Sequence, residues 1–125
     1  MMIQTGIDLI EVARIAKSMQ KQRFMQHVFS PQEQEMFEKR GKNPQTVAVN
    51  FAAKEALSKA LGTGIRGFAL NEISLLRDEF GKPYFQLSGK ILEIVQNNRY
   101  KLTVSVTHTK EYASAVVVCY GGIEP

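Results

Sequence analysis

The sequence predicts an α+β fold, an antiparallel sheet packed against helices, and three observations carry that expectation. Apolar residues recur at helical spacing through the first half, they alternate or run in short blocks through the second, and Gly, Pro and Asn punctuate both. The expected order is a strand, three helices, two strands, a helix and two strands, with neither internal repeats nor low-complexity segments. At 125 residues the chain reads as a single domain, residues 1–125, large enough for a core and small enough to gain burial by forming oligomers.

Residues 2–8 read as a strand, with Ile3, Thr5 and Ile7 on one face and Gly6 and Asp8 on the other. Asp8, at its end, has two readings: the cap of a following helix, or a metal ligand that needs a second carboxylate, for which Glu55 qualifies. From 9 to about 21 the pattern turns helical, since Val12, Ile15, Ala16 and Met19 follow the i, i+3, i+4, i+7 rule. Arg14, Lys17 and Lys21 fall on the opposite face, a basic stripe that is merely solvated unless a partner meets it. Phe24, Val28 and Phe29 are expected to anchor the chain beyond it. Ser30-Pro31-Gln32-Glu33 then opens a helix, with Ser as N-cap, Pro at the first position and Glu completing a capping box; Gly41 should end it. Lys39, Arg40 and Lys42 near that end suit the helix dipole and can also meet a phosphate.

Lys42-Asn43-Pro44 links to a central helix starting near 45 or 46. Its core reads NFAAKEALSKALGTG over 50–64, rich in helix formers up to Leu61 and stopped by Gly62 and Gly64. Glu55 and Lys59, four apart, project from one face with Phe51 a turn earlier. By spacing alone this is a surface ion pair; the Gly-Thr-Gly ending adds a second reading, because it lets backbone approach a ligand where Lys59 ends.

A loop over 65–69, a strand over 71–77, a hairpin loop over 78–83 and a strand over 84–87 follow. Ile91, Leu92, Ile94 and Val95 place a short helix before Asn97-Asn98, and strands over 101–108 and 112–120 close the chain. Val116-Val117-Val118 does not alternate, so the last strand is expected to be covered on both faces. His108, at a strand end, is read as a structural residue or a site residue. With no second His or Cys beside it, it makes a poor transition-metal site, and no Ser-His-Asp spacing or P-loop is present.

Composition narrows the function. Hydrophobic residues at 44% and charged ones at 22% are ordinary for a globular chain, and no long apolar run suggests a leader or membrane span, so a cytoplasmic protein is expected. The lone Cys119 sits in AVVVCY and reads as a buried thiol. Sixteen Lys and Arg against twelve Asp and Glu leave +4, which favours anionic partners: nucleic acid, phosphorylated cofactors or acidic proteins. Zinc-finger spacing and RNP-type aromatic runs are missing, and so is Trp, which argues against nucleic acid.

Three pieces stand together: GIDLIEVARI at 6–15, FAAKEALSKALGTGI at 51–65 and SVTHTKEYASAVVV at 105–118. In that order and at those separations they resemble the holo-acyl-carrier-protein synthases, small bacterial 4′-phosphopantetheinyl transferases, and FGKPYF at 80–85 resembles the family's link between the second and third motifs. The resemblance spans essentially the whole chain. Each motif alone is weak; the KEA-x-x-K-A-x-GTG helix with an upstream G-x-D and a downstream S-x-T-H is specific.

The resemblance implies a 4′-phosphopantetheinyl transferase-like fold and transfer of 4′-phosphopantetheine from coenzyme A to a serine of apo-acyl carrier protein. Adenosine 3′,5′-bisphosphate is released, Mg²⁺ is the cofactor, and the setting is fatty acid biosynthesis. Asp8 and Glu55 match the family's metal ligands, Glu11 ranks below them as a residue that would assist the metal through a water, and Lys59 joins the pair as a catalytic residue. Lys59, Gly62, Thr63, Gly64, His108 and Thr109 match coenzyme-binding positions, and Arg14, Lys17, Lys21 and Arg23 match the carrier-docking surface. A metal-bound water held by Asp8 or Glu55 is preferred to His108 as acceptor of the serine proton. Homotrimers with active sites between subunits are implied, with no nucleic acid or membrane partner. Relatives commonly place Arg before the Phe of FAAKEA; here Asn50 removes that cation, and Lys42, Arg40 and Lys54 are the nearest replacements. Two rival functions remain: a broader transferase for peptide or polyketide carrier domains, and a non-catalytic basic domain that binds anions or nucleic acid.

Overall fold

The computed structural model describes residues 2–62 and 67–122. Strand β1 (Met2–Glu11) leads into helices α1 (Val12–Ser18), α2 (Gln22–Val28), α3 (Pro31–Lys39) and α4 (Pro44–Leu61). A 3-10 turn, Leu70–Glu72, precedes strands β2 (Ile73–Arg77) and β3 (Pro83–Leu87), helix α5 (Gly89–Asn97) and strands β4 (Tyr100–His108) and β5 (Tyr112–Gly121). The α+β class is as expected. The strands divide into two antiparallel sheets, β1-β5-β4 and β2-β3, where one was expected. Among the described residues, no helix is long and apolar enough to cross a membrane.

Helix α4 organises the core. Asn43 is its N-cap, accepting from Gln45 N–H at 2.8 Å, and Pro44 takes the first helical position, so the helix begins before the expected 45 or 46. Gly62, at φ 75°, ends it in the left-handed conformation that glycine adopts without strain. Val47, Ala48, Ala52, Ala53, Ala56, Leu57 and Ala60 are sealed from solvent. Alanines on the sheet side let the helix lie close to β1, closest at Gly6, where a Cβ would collide with the Ala56 carbonyl and come within 2.6 Å of Ala60 N.

Strand β1 pairs with β5 along its whole length, from Met2↔Gly121 to Glu11↔Tyr112, and Val12 N–H still donates to Glu111 O at 2.8 Å. That pairing pulls 9–11 out of the expected helix. The remainder breaks at Met19–Lys21, and residues 22–28, read only as an anchor, form α2. Its anchoring role holds: Phe24 meets Phe29 edge-on and Phe51 at a tilt, with centroids 5.9 and 6.1 Å apart, and Phe29 meets Phe37 edge-on at 5.1 Å. Ser30 caps α3 with the full reciprocal box to Glu33.

Within one subunit, Val116-Val117-Val118 is covered on one face only: Val117 is sealed beneath α4, whereas Val116 is exposed, because β5 alternates and no element among the described residues covers its outer face. Ile3, Ile7 and Leu9 of β1 share that bare face at 67%, 64% and 66% exposure.

Candidate active site

Two elements, β1 and α4, bring Asp8, Glu55 and Lys59 together. Asp8 lies two residues beyond Gly6 on the inward face of β1, so the close approach at Gly6 delivers its carboxylate to the flank of α4. Glu55 and Lys59 leave α4 on that flank, one turn apart. The Lys59 ammonium donates to the Ile7 carbonyl at 2.9 Å and to Asp8 Oδ1 at 3.2 Å. Asp8 is mostly covered, Lys59 largely exposed and Glu55 half-buried. Burial first, and then the negative charge of Asp8, push the Glu55 carboxyl above its usual range, against the opposing pull of Lys59. Two neighbouring carboxylates, with an ammonium held against one of them, form a cluster whose negative charge favours a cation.

The donor set suits a hard divalent ion such as Mg²⁺, which binds through one or two carboxylates plus substrate phosphates and keeps its other waters. Among the described residues no third His, Cys, Asp or Glu, Glu11 included, joins Asp8 and Glu55 as a direct ligand. Asp8 is not a helix cap either, since α1 starts after Glu11.

The remaining predicted residues are dispersed. Gly62 sits at the α4 terminus, while Thr63 and Gly64 lie outside the described residues. His108 pairs with Ala113 of β5, whose other neighbour is Ile10 of β1. His108 is therefore two strands from Asp8, about 10 Å sideways across the sheet. Thr109 holds the β4–β5 turn, its hydroxyl accepting from Glu111 and Tyr112 N–H, and Gln45 of α4 donates to its carbonyl at 3.3 Å. Arg14, Lys17, Lys21 and Arg23 are all exposed, but on α1, the α1–α2 junction and α2 rather than on one helix.

Asn50 and Lys54 need correction, for both are sealed inside the protein and neither can meet a ligand phosphate. Lys54 is paired with Glu33 at 2.5 Å and also donates to the carbonyls of Leu70 and Ile73. The second Glu33 oxygen accepts from Asn50 Nδ2 at 2.8 Å and from Leu75 N–H at 3.2 Å, and Asn50 also reaches the Leu75 carbonyl. Burial pulls the Lys54 ammonium below its usual range, while Glu33 opposes the shift. Lys42 is committed to Glu38 at 3.0 Å. Sequence reading gave Glu33 only its capping role. A signal for the rest was present: the neighbours of Lys54 at three and four residues, Asn50, Phe51, Leu57 and Ser58, carry no charge, which is unusual for a solvated lysine.

Residues 4–117 match the model of the 4′-phosphopantetheinyl transferase superfamily, and the chain belongs to that superfamily. Within it, the similarity is to holo-[acyl-carrier-protein] synthases. The one from Fusobacterium nucleatum is 40% identical over 120 residues, covering 94% of this chain and 98% of its own. The crystal structure of the synthase from Neisseria meningitidis superposes with a TM-score of 0.89 at 30% identity, covering 96% of this chain and all of its own. A synthase from Bacillus anthracis, solved in complex with CoA (3′,5′-ADP), superposes with a TM-score of 0.80 at 34% identity over 95% of this chain and 97% of its own.

Proposed function

We propose that this protein transfers the 4′-phosphopantetheine group of coenzyme A to a serine hydroxyl of apo-acyl carrier protein, with Mg²⁺, in the cytoplasm and in the service of fatty acid biosynthesis. The observation that carries the proposal is the meeting of Asp8, Glu55 and Lys59 at the point where α4 crosses β1, in a chain of this superfamily.

Asp8 and Glu55 are the residues to hold the metal, which when bound supplies charge neutralisation for the coenzyme diphosphate. The reaction forms a bond between the serine oxygen and the β-phosphorus and breaks that phosphorus's bond to the bridging oxygen, so adenosine 3′,5′-bisphosphate leaves. Lys59 stabilises the negative charge that gathers on the phosphoryl oxygens. The serine proton is taken up on the side of the Asp8–Glu55 pair, by water that these carboxylates would hold. His108, two strands away, is not positioned for that task within the same subunit. Gly62, Thr63 and Gly64 complete the coenzyme side, and His108 and Thr109 belong to its nucleotide end.

Exposed Arg14, Lys17, Lys21 and Arg23 present the basic surface that an acidic carrier protein meets. The bare apolar face of Ile3, Ile7, Leu9 and Val116 supports a homotrimer, since further copies of the chain would cover it.

The test is the mass of apo-acyl carrier protein after incubation with this protein and coenzyme A, with Mg²⁺ or with chelator. A gain of one phosphopantetheine only with metal is expected. No gain on any carrier, from a folded protein, overturns the proposal.

A further inference from the structure

Helix α4 is held on two sides, and the two holds differ in kind. Toward β1 the contact is glycine on alanine, Gly6 against the backbone of Ala56 and Ala60, without interlocking side chains there to fix the height or rotation of the helix. The polar tie on that side is the largely exposed Lys59 ammonium, which the reaction proposed above turns toward phosphate. Toward β2 the hold is directional and sealed. Asn50 and Lys54, one turn apart on α4, reach Glu33 of α3 at 2.8 and 2.5 Å. Asn50 also donates to Leu75 O at 3.0 Å, and Lys54 donates to Leu70 O at 3.1 Å and to Ile73 O. Leu75 N–H closes the ring on Glu33 at 3.2 Å, and Ser30 N–H holds the other Glu33 oxygen at 3.1 Å.

Stability alone does not account for this choice of residues. A buried ion pair repays little more than the cost of stripping water from its charges, and apolar side chains of like volume commonly do as well. What apolar packing lacks is a preferred angle, which the five hydrogen bonds from α4 to a fixed carboxylate and to backbone carbonyls impose. Lys54 and Glu55 are consecutive, so the clamp lies about 100° and about 1.5 Å along the axis from the carboxylate at the site. A helix rotation of about 20° would carry a group about 5–6 Å from the axis sideways by about 2 Å. Misplacement of about 1 Å at a reacting centre already costs about a hundredfold in rate.

We infer that Glu33, Asn50 and Lys54 are positioning residues for the transfer reaction: the buried clamp sets the rotation and height of α4, and thereby the place at which the Glu55 carboxylate meets Asp8. That role rests on the metal-holding part given to Glu55 above.

Glu33→Gln with Lys54→Met removes both charges together, a replacement that buried pairs commonly tolerate. Calorimetric titration of the intact protein with Mg²⁺ alone, beside steady-state transfer kinetics, compares this variant with wild type and with Cys119→Ala, a truncation in the sealed core on β5 that leaves every member of the clamp in place. The double variant, folded by circular dichroism, is expected to bind Mg²⁺ about tenfold more weakly and to lose kcat about ten- to hundredfold, with KM for the carrier protein unchanged. Cys119→Ala is expected to keep wild-type Mg²⁺ affinity and kcat. Asn50→Ala breaks two of the bonds without leaving a charge unpaired, and it is expected to show a smaller loss of the same kind should the double variant not fold. Wild-type Mg²⁺ affinity and kcat in a folded double variant or a folded Asn50→Ala protein overturn the inference. Equal losses in Cys119→Ala overturn it too, since the effect would then follow stability alone. A wild type that neither binds Mg²⁺ nor modifies any carrier overturns the transferase reading, and the positioning role with it.

Discussion

Lys59 Nζ sits 3.2 Å from Asp8 Oδ1 and 2.9 Å from the neighbouring Ile7 carbonyl, so one ammonium latches the last turns of α4 to β1 at the point where the carboxylates converge. Lys59→Met is expected to lower transfer about 10²- to 10³-fold. Because Lys59 is largely exposed, the melting temperature should stay within a few degrees of wild type. Lys59→Arg keeps the charge and should recover part of the rate. A parallel loss of fold and activity in Lys59→Met, followed by circular dichroism and steady-state kinetics, would count against a catalytic role.

Glu55 links the site to pH. Its folded pKa lies above the ordinary 4.5, so just above that value the native state binds more protons than the unfolded chain. Stability of the metal-free protein therefore falls as pH rises through this window. Glu55→Gln should flatten that dependence and melt at or above the wild-type temperature at neutral pH, while transfer is lost. Metal affinity runs the other way, rising with pH as the carboxyl gives up its proton. Titrations of melting temperature and of Mg²⁺ activation against pH check both slopes.

At Gly6, alanine would place a methyl group against the Ala56 carbonyl and near Ala60 N. Overpacking of this kind costs about 1–3 kcal/mol. Gly6→Ala should show a lowered urea midpoint together with weakened Mg²⁺ activation, because lifting α4 from β1 separates Glu55 from Asp8. A full urea midpoint would mean that the helix slides without strain.

The buried ion pair predicts a non-additive pair of mutants. Lys54→Met leaves the Glu33 carboxylate without its counter-ion and should cost about 3–5 kcal/mol. Glu33→Gln with Lys54→Met removes both charges and should recover much of that loss. Denaturant unfolding of the single and double mutants measures the coupling, and additive losses would show that the pair acts as two independent groups.

Charge reversal at Arg14 and Lys17 addresses docking. Arg14→Glu with Lys17→Glu should raise KM for the carrier protein about tenfold or more, with coenzyme A binding unaffected and the salt dependence of carrier capture reduced. Equal losses for carrier and coenzyme would mean that the two share one surface.

Much of this architecture was legible in local chemistry. The Ser30–Glu33 box, Gly62 beyond Leu61 and the spacing of Glu55 and Lys59 act within a few residues of one another, so the chain displays them directly. Other features depended on long-range partners. Residues 9–11 suit a helix by periodicity and become strand because β5 offers a ladder partner as far as Tyr112. Lys54 looks like a surface charge until Glu33, 21 residues away in sequence, meets it. Two separate sheets cannot be told from one when every turn permits either pairing.

Residue 50 illustrates what the interior imposes on sequence drift. Glu33 and Lys54 cancel inside a sealed compartment, and Asn50 contributes dipoles without altering that sum. An arginine there would leave one uncompensated positive charge unless its guanidinium turned outward or a neighbour changed with it. Which side chain occupies position 50 is therefore governed by electroneutrality within the compartment, and residues 33, 50 and 54 are free to diverge only as a coordinated set.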